Sequence, residues 1–589
     1  MRRGEVLQIG SMALTTSTMP ILGFATLSTR LVFAMITAVG LVGQATPGLC
    51  GVATGTHGAV AAEHSLASQA GIEILQAGGN AIDAAVAAIL VTGVVNPSSS
   101  GLGGGGFMTV WIADPGTAHV LDYRESAPLS AHRDLYIRNG KADTQASKRG
   151  GLAVGVPGEP RGMEVALERW GTMSIAAVSA PAIRLADQGF AVQSHLARMI
   201  ARSQEGLAAN AELARVFLHK DGTPMLEGEI LRRPNLAATL KVFAEHGAQP
   251  FYSGEISRDI ANAVLGAGGK MRQRDLEGYE VVLREPLVSR FAGHRLFGMP
   301  PPSSGGGTIA AALAVLGGYD LRALGHGSAS YQHLVAETLK AVFADRALWY
   351  GDPKYTYVPI QRLLGPKHIN EIRSGIRSSS VAPADRWGRT DSPVDAGTTH
   401  ISVVDAAGNA VAATTSVNTG FGAKLAVPGR DILLNNTMDD FSLQPGVPNA
   451  FGLVGSEANA VGSRKRPLSS MSPTIAVRDG RVRVVAGASG GPLIITSTLQ
   501  TLLAMLVFDL SVEEAVAAPR IHHQWRPDIL RVESGISAVV RASLERLGHS
   551  ITEWPKQGSV QAVEVIGQGS KRRVRASSDP RKGGVAAAY

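Results

Sequence analysis

The sequence predicts a globular α/β protein of layered helices and strands, and three observations carry that reading. Charged residues are 18% and aromatic residues 5% of the 589, while glycine fills 69 positions. That composition excludes a disordered or collagen-like chain. From about residue 162 to residue 350, helical periodicity alternates with short strands and Gly/Pro loops. After Gly397 the pattern turns to hairpins with two helices. The chain is longer than one ordinary domain and long enough to bury a large core.

In chain order, residues 1–45 read as an export signal. Arg2, Arg3 and Arg30 flank two apolar stretches, Ile21 to Leu27 and the cleaner Leu31 to Val42, and Gly43-Gln44-Ala45 offers a small-x-small cleavage site. An alternative start lies at Met12 or Met19. About 12 apolar residues are too few for a bilayer span, so a periplasmic or secreted mature protein without a stable membrane anchor is expected. Cys50, the only cysteine, forms no disulfide framework and no thiolate metal cluster. Leu49 stands where a lipid-anchor signal wants a small residue.

His57 to Ala61 reads as a buried strand. Ser65 reads as the cap of a helix to Ala77, and Asn80 as the start of a second helix, Ala81 to Val95, apolar nearly all round and therefore interior. Gly101 to Gly106 fits G-x-G-x-x-G, but Phe107 to Trp111 reads as a strand where a dinucleotide site needs a helix. Those glycines instead suit close backbone approach near a cleft. Val120 to Tyr123 is another strand, with Arg124 at its end. Arg124 matters only if a carboxylate ligand has to be held, since its fork matches that group.

Five helices follow: Met173–Gln188, Pro234–His246, Ile256–Leu265, Thr308–Leu316 and Ser330–Tyr350. Pro300 to Gly307 reads as a rigid-then-flexible loop beside the same cleft. Lys367 to Gly397, with Ser378 to Ser380, Pro383, Asp385, Arg389, Asp391 and Pro393, reads as a polar connector where proteolysis concentrates. Beyond it lie the helices Pro492–Phe508 and Val512–Ala517, and closing strands near Gln561 and Val574.

The net charge of +8 is spread along the chain. Its densest basic run, Lys571 to Arg575, lacks interleaved aromatics. A solvated surface is therefore expected, and no nucleic-acid partner.

Two hydroxyls compete as nucleophile. Thr398 and Thr399 stand at the end of a polar loop, followed at once by a strand, His400 to Asp405, which the turn Ala406-Ala407-Gly408 joins to a second strand, Asn409 to Ser416. If a three-residue loop pairs Asp405 with Asn409, Thr398 faces Ser416 at the open end. A backbone cut there would give Thr398 a free α-amine to serve as its own base. Ser489, in Gly487-Ala488-Ser489-Gly490-Gly491, fits a nucleophile elbow between a strand and a helix, with Asp528 and His549 downstream as partners. Only about a hundred residues remain after it, little room for the rest of a doubly wound sheet. Pro492 equally suits a helix start whose amides bind an anion. Residues alone leave the two candidates close to even.

Longer motifs go further. Thr398 to Asp405, Asn435 to Phe441, Lys465 to Thr474 and Gly490-Gly491 occur in an order that resembles the γ-glutamyltranspeptidase family. So do Gly78 to Ala81, Leu102 to Phe107, Asp122 to Glu125 and Gly155 to Gly158, so the likeness spans nearly everything after the leader. The resemblance implies an N-terminal-nucleophile hydrolase, an αββα sandwich made as one chain that cuts itself between Gly397 and Thr398. Residues 46–397 would become a large subunit and 398–589 a small one.

The resemblance also implies roles. Thr398 attacks the γ-carbonyl, Thr399 and Ser416 position its hydroxyl, and the amides of Gly490 and Gly491 hold the oxyanion. Arg124, Ser469 and Ser470 bind the substrate α-carboxylate; Asn418, Thr437 and Asp440 face its α-amino end. The expected donor is glutathione or another γ-glutamyl compound, the acceptor water or an amino-acid or peptide amine, with no metal and no cofactor.

Two positions depart from the pattern. Thr437 stands where Gln or Glu is common, and Phe451 where many bacterial members have tyrosine in a lid, here Pro445 to Phe451. Both resemble the cephalosporin (glutaryl) acylase branch, the alternative reading; the retained Asp440 argues for an amine. A non-catalytic relative that never cleaves is the third reading. His522-His523 are expected as core or interface residues, since neighbours on a strand point apart and no carboxylate is spaced to join them in binding a metal.

Overall fold

The nucleophile candidate sits at the mouth of a hairpin buried between layers, and the hairpin turn sets its register. The structure is a computed structural model describing residues 51–386, 397–555 and 557–589. The expected leader, Cys50, Arg389, Asp391 and Pro393 lie outside the described residues.

The strands that form the two main sheets are, in chain order, β1 (Val52–Gly55), β2 (Ala59–Ala62), β3 (Gly105–Ile112), β4 (Thr117–Tyr123), β5 (Val282–Arg284), β6 (Leu287–Phe291) and β7 (His294–Gly298). They continue with β8 (Gly397–Val404), β9 (Ala410–Asn418), β10 (Thr474–Arg478), β11 (Arg481–Ser489), β12 (Ser559–Ile566), β13 (Arg573–Ser578) and β14 (Ala587–Ala588). One seven-stranded sheet runs β14-β2-β8-β9-β3-β4-β5 and the other β1-β13-β12-β11-β10-β7-β6. Every pairing within them is antiparallel.

The sheets close on each other through small side chains, among them Ala59, Ala61, Ala410, Ala412, Val485, Val563 and Ala576. Alanine and valine on facing strands allow the close stacking a two-sheet core needs. Helices α1 (Ser65–Gln76) and α2 (Ala81–Val95) cover the outer face of the first sheet. Helices α3 (Gly305–Leu316), α4 (Ala329–Trp349) and α5 (Leu493–Leu506) build the layer on the second. This is the αββα sandwich expected above.

Helix α2 forms as its sequence dictates. The Asn80 side chain accepts from the Ile82 and Asp83 amides at 2.8 and 3.1 Å, and Asp83 accepts from the Asn80 amide at 2.8 Å, a reciprocal capping box. All 15 residues are buried, as an all-round apolar helix requires. The cap of α1 differs from expectation. His64 is the N-cap, its ring Nδ1 accepting from the Leu66 amide at 3.2 Å, and Ser65 is already helical.

The β8–β9 hairpin has the register counted from its turn. Asp405 bonds Asn409 at 3.1 Å, Thr399 pairs with Thr415, and Gly408 takes the left-handed conformation the loop demands (φ +89°). A bulge between Gly397 and Thr399 throws Thr398 out of the ladder. The glycine loop before β3 lies directly on this hairpin: a Cβ on Gly104 would stand 2.2 Å from the Ser416 carbonyl oxygen.

Other segments correct the sequence reading. Gly305 to Gly307 open α3 and are buried, so they are helical rather than a flexible loop. Pro366–Gly375, overlapping the start of the expected polar connector, is a helix that buries Ile369 and Ile372. Helices at Glu159–Trp170, Ser194–Ala208, Ala211–Phe217 and Ala538–Arg546 were not anticipated.

Candidate active site

Thr398 is buried on the bulge, its Oγ1 3.0 Å from the Ser416 Oγ. Ser416 donates its single proton to the carbonyl oxygen of Gly397 at 2.6 Å and accepts from the Asn418 amide at 2.7 Å. With that proton committed, the Thr398 hydroxyl is the donor between the two side chains. One serine therefore touches the nucleophile and the carbonyl of the Gly397–Thr398 bond together. The Thr399 hydroxyl lies beside Glu63, so of the two expected hydroxyls it is Ser416 that hydrogen-bonds Thr398. Asn418 adopts φ +81° and anchors its amide to the Asn436 carbonyl at 3.0 Å. Asparagine tolerates that conformation better than most residues.

A small cavity, about 20 Å³, opens beside Thr398. Ser416, Asn418 and Gly491 line it with the nucleophile, Arg124, Arg346, Asp440, Ser469 and Ser470 supply further polar groups, and Phe451 is among its apolar lining. Arg124 and Asp440 pair with each other, and the Arg124 Nε donates to the Pro467 carbonyl at 3.4 Å. Burial raises the Asp440 carboxyl, and Arg124 only partly offsets it, leaving it at about 6.

Arg346 was missed by sequence reasoning. It sits near the C-terminal end of α4, beside Asp345, and is one of three buried charges on that helix with Glu337 and Lys340; nothing local sets it apart from them. Its guanidinium donates to Ser304 Oγ at 3.0 Å and Ser470 Oγ at 3.1 Å. Burial lowers it to about 10, against the pull of Asp440. The Pro300 to Gly307 segment supports this wall from behind: Ser304 bonds the Ser469 carbonyl through its amide and hydroxyl at 2.9 and 2.8 Å.

Thr437 is placed behind the cavity. Its hydroxyl donates to Glu125 Oε1 at 2.7 Å, the reach of a short side chain, and it does not line the space beside Thr398. Phe451 does line it. Its lid is pinned without a tyrosine hydroxyl: the Ala450 amide donates to Asp439 at 2.7 Å, and Ser147 holds the same carboxylate at 2.6 Å.

Gly490 and Gly491 both take positive φ, +126° and +58°, and their carbonyls accept the first amides of α5. Ser489 donates to Glu63 and accepts from Lys582 at 2.7 Å. The partners an elbow would need are engaged elsewhere. His549 bonds His333 at 2.8 Å, and Asp528 pairs with His523 and Lys340.

Asp528 thus does reach His523, at 3.1 Å, contrary to the spacing argument, while His522 bonds Thr496 and Gln524. Among the described residues no group of three or more His, Cys, Asp or Glu is placed to hold a metal. His400, on β8, is pushed down to about 3 by burial between the sheets and bonds Thr414 and Ser402, so it is a neutral packing residue.

Comparison with known proteins places this geometry. The profile of the gamma-glutamyltranspeptidase family matches residues 67–589. The chain is 41% identical over 527 residues to the glutathione hydrolase proenzyme of Escherichia coli (strain K12), covering 89% of this chain and 90% of that one. Among solved structures it is similar to a cephalosporin acylase from Bacillus halodurans, with TM-score 0.82, 26% identity and coverage of 94% and 99%. It is also similar to a gamma-glutamyltranspeptidase from Helicobacter pylori, with TM-score 0.54, 34% identity and coverage of 55% of this chain and 93% of that one.

Proposed function

The chain belongs to the gamma-glutamyltranspeptidase family, and from that premise we propose that it is a self-processing glutathione hydrolase and γ-glutamyltransferase. The observation that carries the self-cleavage is Ser416, bonded to Thr398 Oγ1 and to the Gly397 carbonyl at once. Attack of Oγ1 on that carbonyl builds negative charge on the oxygen Ser416 already contacts. Collapse expels the Thr398 nitrogen, which takes up the hydroxyl proton, and water hydrolyses the ester left behind. The products are a large subunit ending at Gly397 and a small one, 398–589, with a free α-amine. Before the cut that nitrogen is an amide and no base, so activity depends on cleavage.

In turnover, Thr398 Oγ1 attacks the γ-carbonyl while its α-amine takes the proton and returns it to the departing amine. The amides of Gly490 and Gly491 hold the oxyanion. Water, or an amino-acid or peptide amine, then releases the γ-glutamyl group. The substrate's zwitterionic end exchanges for the Arg124–Asp440 pair: its carboxylate goes to Arg124, Ser469 and Ser470, its ammonium to Asp440 and Asn418. No buried charge is left without a partner. The leader at residues 1–45 supports action outside the cytoplasm, in the periplasm or secreted.

The glutaryl-acylase reading is favoured by Thr437 lying behind the cavity and by Phe451, and opposed by Asp440 within it. A substrate without the amine would leave Asp440 to be neutralised. At pH 7, above its value of about 6, that neutralisation is unfavourable. The contact therefore favours γ-glutamyl over glutaryl substrates.

Intact mass spectrometry of wild type beside Thr398→Ala tests the central claim. A fragment beginning at Thr398 in wild type only supports it; an uncut chain in both removes the base and the enzyme reading with it.

A further inference from the structure

The proposed function leaves unused a buried trio beneath the nucleophile. Lys582 Nζ donates to the carbonyl oxygen of Thr398 at 2.8 Å, to Ser489 Oγ at 2.7 Å and to Glu63 Oε2 at 3.1 Å. An ammonium has three donors and no acceptor, so these contacts satisfy it completely. Ser489 in turn donates to the other oxygen of Glu63, closing a ring of three side chains. The Glu63 side chain is wholly buried and that of Lys582 is 15% exposed. Burial raises the Glu63 carboxyl, and Lys582 and Ser489 pull it back.

We propose that Lys582, seated on Glu63 and Ser489, is a positioning residue that holds the nucleophile's backbone once the chain has been cut; this rests on the function proposed above. The bulge takes Thr398 out of the β8–β9 ladder, and cleavage then removes its covalent tether to Gly397. What still fixes the new first residue is its carbonyl, and Lys582 grips that carbonyl. Holding it sets the rotation about the Thr398 Cα–C bond, and with it the directions of both the α-amine and the hydroxyl.

The trio also spans the cut. Glu63 follows β2 in the prospective large subunit, whereas Ser489 and Lys582 belong to the small one. Ser489 directly precedes Gly490, so nucleophile and oxyanion amides hang from one clamp. The C-terminal segment carrying Lys582 is seated tightly: a Cβ on Gly584 would stand 2.6 Å from the Ala62 carbonyl oxygen and 3.1 Å from the Glu63 Cα.

The test uses full-length protein with Lys582→Met, Lys582→Arg and Glu63→Gln, and reads kcat and KM on a γ-glutamyl anilide for the cut fraction of each. Loss of orientation alone lowers kcat by about tenfold or more in Lys582→Met with KM within about twofold, because the binding groups are untouched. Lys582→Arg recovers part of the loss, and Glu63→Gln shows a smaller fall of the same kind. Should Lys582→Met not fold, Glu63→Gln and Lys582→Arg give the same reading.

Wild-type kcat in a cut Lys582→Met enzyme overturns the proposal. So does a fall in kcat, a rise in KM and a drop in Tm together, without recovery by arginine, since that marks a merely structural contact. Failure of wild type to cut or turn over instead defeats the functional reading itself.

Discussion

Thr398 and Ser489 stand at the ends of strands in facing sheets, each buried, each beside glycine-rich backbone that opens toward the same cavity. They differ in what their partners leave them free to do. Ser416 accepts the proton of Thr398 and directs its own to the Gly397 carbonyl, so one hydroxyl links the threonine oxygen to that carbonyl. Ser489 is closed between Glu63 and Lys582, and no histidine completes it among the described residues. A local motif identifies a hydroxyl on a turn; the proton partners decide whether that hydroxyl reacts.

The sharpest way to break this comparison is to remove each hydroxyl. Thr398→Ala should abolish self-cleavage and lower turnover by at least about a thousandfold, the scale expected when a covalent nucleophile is lost. Mass spectrometry and anilide hydrolysis check both. Ser416→Ala should slow self-cleavage by about a hundredfold, as for one oxyanion donor, whereas Ser416→Thr keeps the hydroxyl and most of the rate. Time-resolved gel analysis of freshly expressed protein measures this. A Ser416→Ala chain that cuts at the wild-type rate would show that the carbonyl contact is incidental.

The next effect is smaller and separates substrates. The Asp440 carboxyl, raised by burial to about 6, is charged above that pH and neutral below it. Affinity for an ammonium-bearing substrate is thus present at pH 7 to 8 and is lost as pH falls through about 6. KM for a γ-glutamyl anilide should rise over that interval, while KM for a glutaryl anilide stays flat or falls. Selectivity for the γ-glutamyl substrate should shrink accordingly, and Asp440→Asn should remove most of it at every pH. A selectivity independent of pH would point to a different residue as the amine partner.

Much of this was legible because it is local. The turn Ala406-Ala407-Gly408 sets the hairpin register, and the register sets Thr398 against Ser416. Asn80 and an unbroken apolar run specify α2. What escaped was non-local or directional. Lys582 lies 519 residues from Glu63 along the chain, and nothing in either neighbourhood announces the pairing. Arg346 lies in the last turn of α4, and its importance comes from the wall it meets. Thr437 occupies the expected position but turns to Glu125, because sequence order places a residue without aiming its side chain. His64 took the cap from Ser65 because a ring nitrogen can accept an amide as a hydroxyl does.

The smallest effect argues the comparison from its other side. Ser489→Ala deletes one member of the ring beneath Thr398, yet Lys582 still reaches both the Thr398 carbonyl and Glu63 directly. What is lost is a hydrogen bond to the ammonium and one to the carboxylate, in a site where each such charged bond contributes about 1.5–3 kcal/mol to stability. That should appear as a lower Tm and a fall in kcat of a few-fold, with cleavage intact and KM unchanged. A Ser489→Ala protein that is cut, folded and wholly inactive would invert the roles of the two hydroxyls. An unchanged kcat would instead locate the clamp in the lysine–carboxylate pair alone, with the serine filling the space between them.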